Sequence, residues 1–218
     1  MDPQYWLDRW REGRTGWHQD QPTPLLLRHW ATLEVPPGSR VFVPLAGRSQ
    51  DMHWLAKAGY RVLGVELSQA AIEQFFADGG LEPTVKASRY GRHYGADGIE
   101  IICGDAFSLD AAALLDCDAV FDRAALIALP PALRQRYARG LYACLPAGCR
   151  GLLITVEYPQ HEKEGPPFSV PDDEVHALFV EHWSIDRLDR RDILAKERSG
   201  LGEHLSALHT SVYRLLRR

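Results

Sequence analysis

Short apolar runs alternate with amphipathic stretches through most of the chain, and each run gives way to a glycine or an acidic residue. Arg40-Val41-Phe42-Val43-Pro44-Leu45 is the first, ending in Ala46-Gly47-Arg48-Ser49. A short apolar run bounded by a glycine turn predicts a buried strand. Ser49 then reads as a helix N-cap, and Asp51 in the first turn suits the positive end of the helix dipole. Met52, Leu55, Ala56 and Ala58 follow at helical spacing up to Gly59, a C-cap. Arg61-Val62-Leu63-Gly64-Val65-Glu66-Leu67 comes next. Strand, turn, helix and strand in about 30 residues is one βαβ unit, which implies parallel strands and a right-handed crossover.

The alternation continues. Ser68 caps a helix carrying Ala71, Ile72, Phe75 and Phe76. Ile99–Cys103 predicts a third strand ending in Gly104-Asp105, and Ala119–Asp122 a fourth. A helix is predicted from about Pro131 to Leu145, with proline in its first turn. Arg150–Val156 predicts a fifth strand. Trp183–Leu188 and Ala207–Leu215 read as two more, pairing antiparallel at the sheet edge. The N-terminal segment, residues 1–35, reads as a helical cap carrying Trp6, Trp10, Trp17 and Trp30. The expected fold is one α/β domain: a doubly wound, mostly parallel sheet of Rossmann-like type over residues 36–218, with an antiparallel C-terminal edge pair and the N-terminal cap.

In such a sheet, ligands bind beyond the carboxyl ends of the strands. Leu45 to Gly47, Glu66, Gly104 to Ala106, Asp122 and Arg123 fall there. Glu66 ends the second strand, 19 positions after Gly47. A carboxylate there accepts both ribose hydroxyls of an adenosine cofactor, or else only caps the next helix. A pyrophosphate needs a GxGxxG loop whose N–H groups surround it. The loop here has the single glycine Gly47, which disfavours a dinucleotide-dependent reductase. An adenosine cofactor without phosphates, S-adenosylmethionine, fits better.

The blocks Gly16-Trp17-His18-Gln19, Val43–Leu55, Gly64–Ser68, Asp122–Pro130 and Gly165-Pro166-Pro167-Phe168-Ser169-Val170 resemble the thiopurine S-methyltransferase family. They occur in order across nearly the whole chain. The resemblance implies the class I methyltransferase fold and S-adenosylmethionine as methyl donor with S-adenosylhomocysteine as product. The N-terminal cap is expected to close over the cofactor, because its four tryptophans need a surface to pack on. It places cofactor contacts on Trp10, Leu45, Glu66 and Arg123, beside Gly47, with Asp105 and Ala106 next to the adenine. Trp6, four residues before Trp10, competes for the N-terminal contact. The acceptor side is expected to involve Trp17, Arg123, Phe168 and Arg198. Trp17 stands where the family commonly has phenylalanine, and Ala46 where cysteine is frequent.

The implied reaction is S-methylation of aromatic or heterocyclic thiols such as thiopurines. Methyl transfer from a sulfonium is mainly a matter of alignment, and such thiols ionise readily, so no dedicated general base is expected. His18 is a base or, more simply, a hydrogen-bonded structural histidine. Arg123 either stabilises an anionic acceptor or forms a salt bridge at the rim, with Asp122 as the partner in reach. The alternatives are a methyltransferase for small anions or for selenium and tellurium oxyanions, and a protein that binds the cofactor without turnover.

Composition narrows the partners. The 218 residues are 45% hydrophobic and 25% charged with a net charge of -4, and no basic stripe of a nucleic-acid binder stands out. No apolar run reaches the length that spans a bilayer, and the charged, aromatic N-terminus is unlike a signal peptide. A cytoplasmic monomer acting on a small thiol or chalcogen substrate is expected. The four cysteines and nine histidines have no metal-site spacing, so no metal is expected and the thiols read as buried and free.

Overall fold

A computed structural model describes residues 3–16 and 18–218. The elements follow the predicted alternation. After α1 (Pro3–Arg11) and α2 (Pro24–His29) come β1 (Arg40–Val43), α3 (Gln50–Lys57), β2 (Arg61–Glu66) and α4 (Gln69–Asp78). Ser49 and Ser68 cap α3 and α4, accepting from the Asp51 and Ala71 N–H groups. β3 (Thr84–Ser88), β4 (Gly91–Ala96), β5 (Ile99–Cys103) and the short α5 (Ala111–Leu114) lead to β6 (Cys117–Arg123). Then come α6 (Pro131–Arg136), β7 (Arg150–Glu157), α7 (Asp172–Phe179), β8 (Trp183–Asp192) and β9 (His209–Arg217).

Nine strands form one sheet in the order β3-β4-β5-β2-β1-β6-β7-β9-β8. The central β5, β2, β1, β6 and β7 are parallel, and both edges are antiparallel. Successive residues of a strand face opposite sides, and the two cores follow that alternation. Val41, Val62, Ile101 and Phe121 pack on one side with Met52 and Leu55 of α3 and Ile72 and Phe75 of α4. Phe42, Leu63, Ile102 and Val120 pack on the other with Tyr137, Tyr142, and Val175 and Phe179 of α7. This is the doubly wound arrangement.

Four readings of the sequence change. The second antiparallel edge, β3-β4, was not foreseen. The helix expected over 131–145 is α helical only through Arg136 and continues as a π turn at Tyr137–Leu141 and a 3-10 turn at Tyr142–Cys144. Gly140, a poor helix former, lies within the π turn. Trp30 is part of the core rather than the cap: it is buried, edge-on to Tyr60 and Phe121.

Of the cysteines, only Cys117 and Cys149 are buried; Cys103 and Cys144 are half-buried. Burial pushes the Cys117 thiol up to about 12 and Cys149 higher still. A disulfide reagent at about pH 8 is therefore expected to titrate Cys103 and Cys144 in the folded protein, and all four thiols only after denaturant. Rapid reaction of Cys117 in the native state would contradict this packing.

Candidate active site

The loop after β1 folds across the end of β2. Ala46 N–H donates to Val65 O at 2.9 Å. Gly47 N–H donates to Glu66 Oε2 at 2.9 Å, and Ser68 N–H to Oε1 at 2.7 Å. Glu66 is therefore buried yet clasped by backbone on both oxygens. Burial pushes its carboxyl above the usual range, and the Ser68 and Gly47 N–H groups pull it back. Gly47 and Ser68 engage one oxygen each, and a carboxylate has about four acceptor sites, so capacity remains for a ligand.

Two glycines let backbones approach here. Gly47 has φ 54°, and a Cβ on it would lie 3.1 Å from the ring of Trp10. A Cβ on Gly104 would overlap the Tyr90 carbonyl oxygen. Gly104 N–H donates to Glu66 O at 3.0 Å, bringing the Gly104–Ala106 turn to the same place. Ala106 is buried and Asp105 exposed, its carboxylate accepting from Phe107 N–H. Leu45 is half-buried with φ 46°, an uncommon conformation for a residue with a branched side chain. Leu45, Gly47, Glu66, Asp105, Ala106 and Trp10 thus gather at one end of the sheet. Trp10 lies over the loop; Trp6 packs edge-on against Tyr5.

Arg123 does not pair with Asp122. Its Nε donates to Asp51 Oδ2 at 2.7 Å and its Nη2 to Ser49 Oγ at 3.3 Å. The Asp122 carboxylate is instead buried beneath the π and 3-10 turns that follow α6, accepting from Tyr137 Oη, Tyr142 Oη and Leu126 N–H. Asp51 itself is fully buried, which a role in the helix dipole alone does not require. His18 is close to this group. Burial and the nearby Arg48 hold its pKa below the usual value, with Arg123 adding to the shift. Its Nε2 lies 3.3 Å from Asp20 Oδ1, in keeping with a hydrogen-bonded histidine. Trp17 lies outside the described residues.

Phe168 N–H donates to Ile127 O at 2.6 Å, which holds the 165–169 loop over the segment following Arg123. The loop is fixed from behind. Tyr158 Oη donates to Pro167 O, and the buried Arg134 donates to Ser169 O while lying 5.9 Å from the Phe168 ring. A cleft of about 580 Å³ opens on that side, lined by Arg134, Glu157, Tyr158 and Glu174 among others. Glu66, Leu45 and Arg123 are not part of it.

Arg198 is exposed and makes no hydrogen bond or ion pair among the described residues. The 193–208 loop that carries it still belongs to the site end of the sheet. Glu157, at the end of β7, pairs with His209 at the start of β9, and His209 with Asp192 at the end of β8. Lys163 and Glu162 tie that loop to the segment after β7. Among the described residues, no group of three His, Cys, Asp or Glu side chains is placed to hold a metal ion, and no helix is long and apolar enough to cross a membrane.

The fold is similar to solved methyltransferases at low identity. A 1,6-didemethyltoxoflavin-N1-methyltransferase of Burkholderia thailandensis, solved with S-adenosylhomocysteine, superposes with a TM-score of 0.65 at 17% identity, over 99% of this chain and 86% of that one. The glycopeptide N-methyltransferase MtfA, solved with S-adenosylmethionine, superposes with a TM-score of 0.60 at 15% identity, over 92% and 96%. These likenesses establish the class I methyltransferase fold. Residues 1–218 match the family described as Thiopurine S-methyltransferase. A thiopurine S-methyltransferase of Xanthomonas campestris is 58% identical over 217 residues, covering 100% of both chains. One from Nitrosomonas eutropha is 56% identical over 217 residues, covering 100% of this chain and 99% of that one.

Proposed function

The chain belongs to the thiopurine S-methyltransferase family, and from that premise we propose that it transfers a methyl group from S-adenosylmethionine to the sulfur of aromatic or heterocyclic thiols such as thiopurines. The products are S-adenosylhomocysteine and a thioether. The full-length match at up to 58% identity carries the reading.

The residues at the site fit the donor. A single-glycine loop leaves no phosphate cradle, while Glu66 keeps acceptor capacity for a ligand. We assign Glu66 to the ribose hydroxyls, the Leu45–Gly47 backbone to the donor's amino-acid side, and Asp105 and Ala106 to the adenine. Trp10 covers the loop. When bound, the donor supplies a methyl group on a sulfonium that is already a good leaving group. The chain's own task is alignment and exclusion of water, which accounts for large rate factors without a base. A thiol loses its proton to solvent, and Arg123 stabilises the thiolate that attacks. Phe168, Trp17 and Arg198 are assigned to the acceptor side.

The test is transfer of label from S-adenosylmethionine to 6-mercaptopurine, with the thioether identified by mass. Turnover supports the assignment. Binding of S-adenosylhomocysteine without thiol turnover, but with methylation of selenite or a small anion, would replace the acceptor class and keep the donor.

A further inference from the structure

Asp51 has no exposed surface although it opens a helix at the rim of the site. A first-turn carboxylate gains its dipole interaction without burial. Burying an ion pair is seldom favourable for stability alone, because desolvation of both charges opposes their attraction. Something other than helix formation accounts for Asp51.

Its hydrogen bonds join three separate segments. Oδ1 accepts from Thr23 N–H at 2.7 Å. Oδ2 accepts from Arg123 Nε at 2.7 Å and from Ser49 Oγ at 2.9 Å. The Ser49 hydroxyl in turn accepts from Arg123 Nη2. Thr23 is buried and ends the strap, residues 18–23, that carries His18. Arg123 ends β6, and Ser49 belongs to the loop that folds over Glu66.

We propose that Asp51 is a positioning residue for the acceptor: it fixes the Arg123 guanidinium and anchors the strap to it. The proposal rests on the assignment of Arg123 to the acceptor thiolate. An unrestrained arginine explores many rotamers, whereas a planar guanidinium held on one edge keeps little of that freedom. With Nε and one N–H of Nη2 engaged, both N–H groups of Nη1 make no hydrogen bond among the described residues. With the second N–H of Nη2, they are the donors left for an anionic sulfur. The strap is held by the same carboxylate, so its position and the orientation of Arg123 depend on one group. Arg123 also acts on His18, which has Asp20 beside it and the Arg48–Asp78 pair near it. A substitution at position 51 alters none of these side chains chemically.

The experiment compares Asp51→Asn with the wild type using labelled S-adenosylmethionine and 6-mercaptopurine. The expected KM for the acceptor rises roughly tenfold, as for loss of one charge-assisted hydrogen bond. The Kd for S-adenosylhomocysteine is expected to stay within about twofold, since Asp51 makes no hydrogen bond to Leu45, Gly47, Glu66, Asp105 or Ala106. The acid limb of kcat against pH moves to higher pH, because kcat reports the bound complex and the bound thiolate has lost its fixed cation. Equal losses of acceptor and S-adenosylhomocysteine affinity with an unmoved acid limb would show a purely structural role and overturn the proposal. If Asp51→Asn does not fold, Ser49→Ala carries the test: an acceptor KM raised about threefold, with the same displacement of the acid limb, supports it, and wild-type values overturn it. A wild type that methylates no thiol would remove the functional assignment itself, before any variant is compared.

Discussion

Glu66→Ala is expected to lower the affinity for S-adenosylmethionine and S-adenosylhomocysteine by at least about a hundredfold, from the loss of two hydrogen bonds to a charged acceptor at about 1.5–3 kcal/mol each. The carboxylate is buried and held by the Gly47 and Ser68 N–H groups, so its oxygens are fixed before any ligand arrives. Such preorganisation is what the alanine removes. Glu66→Gln is not conservative here. Donors converge on both oxygens, and an amide would direct its own N–H2 at one of them. It is expected to bind nearly as poorly as the alanine variant. Because burial raises the Glu66 carboxyl above its usual range, the wild type should also lose affinity on mild acidification. Protonation removes an acceptor as pH falls through that raised value. Isothermal titration with S-adenosylhomocysteine measures both effects. Unchanged affinity in Glu66→Ala would remove Glu66 from the site.

Much of this site was legible because it is built from local signals. Strand, glycine turn and capped helix placed Leu45, Gly47 and Glu66 together before any coordinate, since a βαβ unit brings the end of its second strand beside its first turn. The β3-β4 edge was missed although its signal is present. Asp97-Gly98 joins β4 to β5 as a two-residue turn with φ 48° and 78°, the dipeptide typical of tight hairpins. Trp30 was assigned to the cap, yet Leu26, Trp30 and Leu33 recur at helical spacing and are all buried, a periodicity that marks a core-facing segment.

What the sequence did not carry are partners distant along the chain. Asp51 and Arg123 are 72 positions apart, and nothing local distinguishes a first-turn aspartate that faces solvent from one that receives an arginine. The nearer candidate, Asp122, is adjacent to Arg123 but belongs to a strand, where successive side chains point to opposite faces. It turns into the core beneath the turns that follow α6 while Arg123 turns towards α3. Alternation therefore predicts that these two would not pair, and the sheet topology then determines which acid Arg123 reaches.

Asp122→Leu is expected to destabilise the fold by about 3–5 kcal/mol, as for removal of one member from a buried charged network. For a chain of this length that corresponds to a fall in Tm of roughly 10 °C. Asp122 has no exposed surface and accepts from two phenols, Tyr137 at 2.7 Å and Tyr142 at 2.9 Å, and from Leu126 N–H at 3.2 Å. Both phenols are themselves buried. Leucine fills the space but leaves those hydroxyls in the core without an acceptor, and the cost lies in the orphaned donors rather than in lost volume. That attribution is separately testable. Replacing the donors along with the acceptor, as Asp122→Leu with Tyr137→Phe and Tyr142→Phe, turns the cluster apolar and should recover most of the lost Tm. A triple variant no more stable than Asp122→Leu would instead locate the cost in the turn that Leu126 N–H closes. There Ala124 holds φ 69° and Arg123 leaves the strand. In that case acceptor KM would rise along with the loss of stability, because the turn also sets where Arg123 begins.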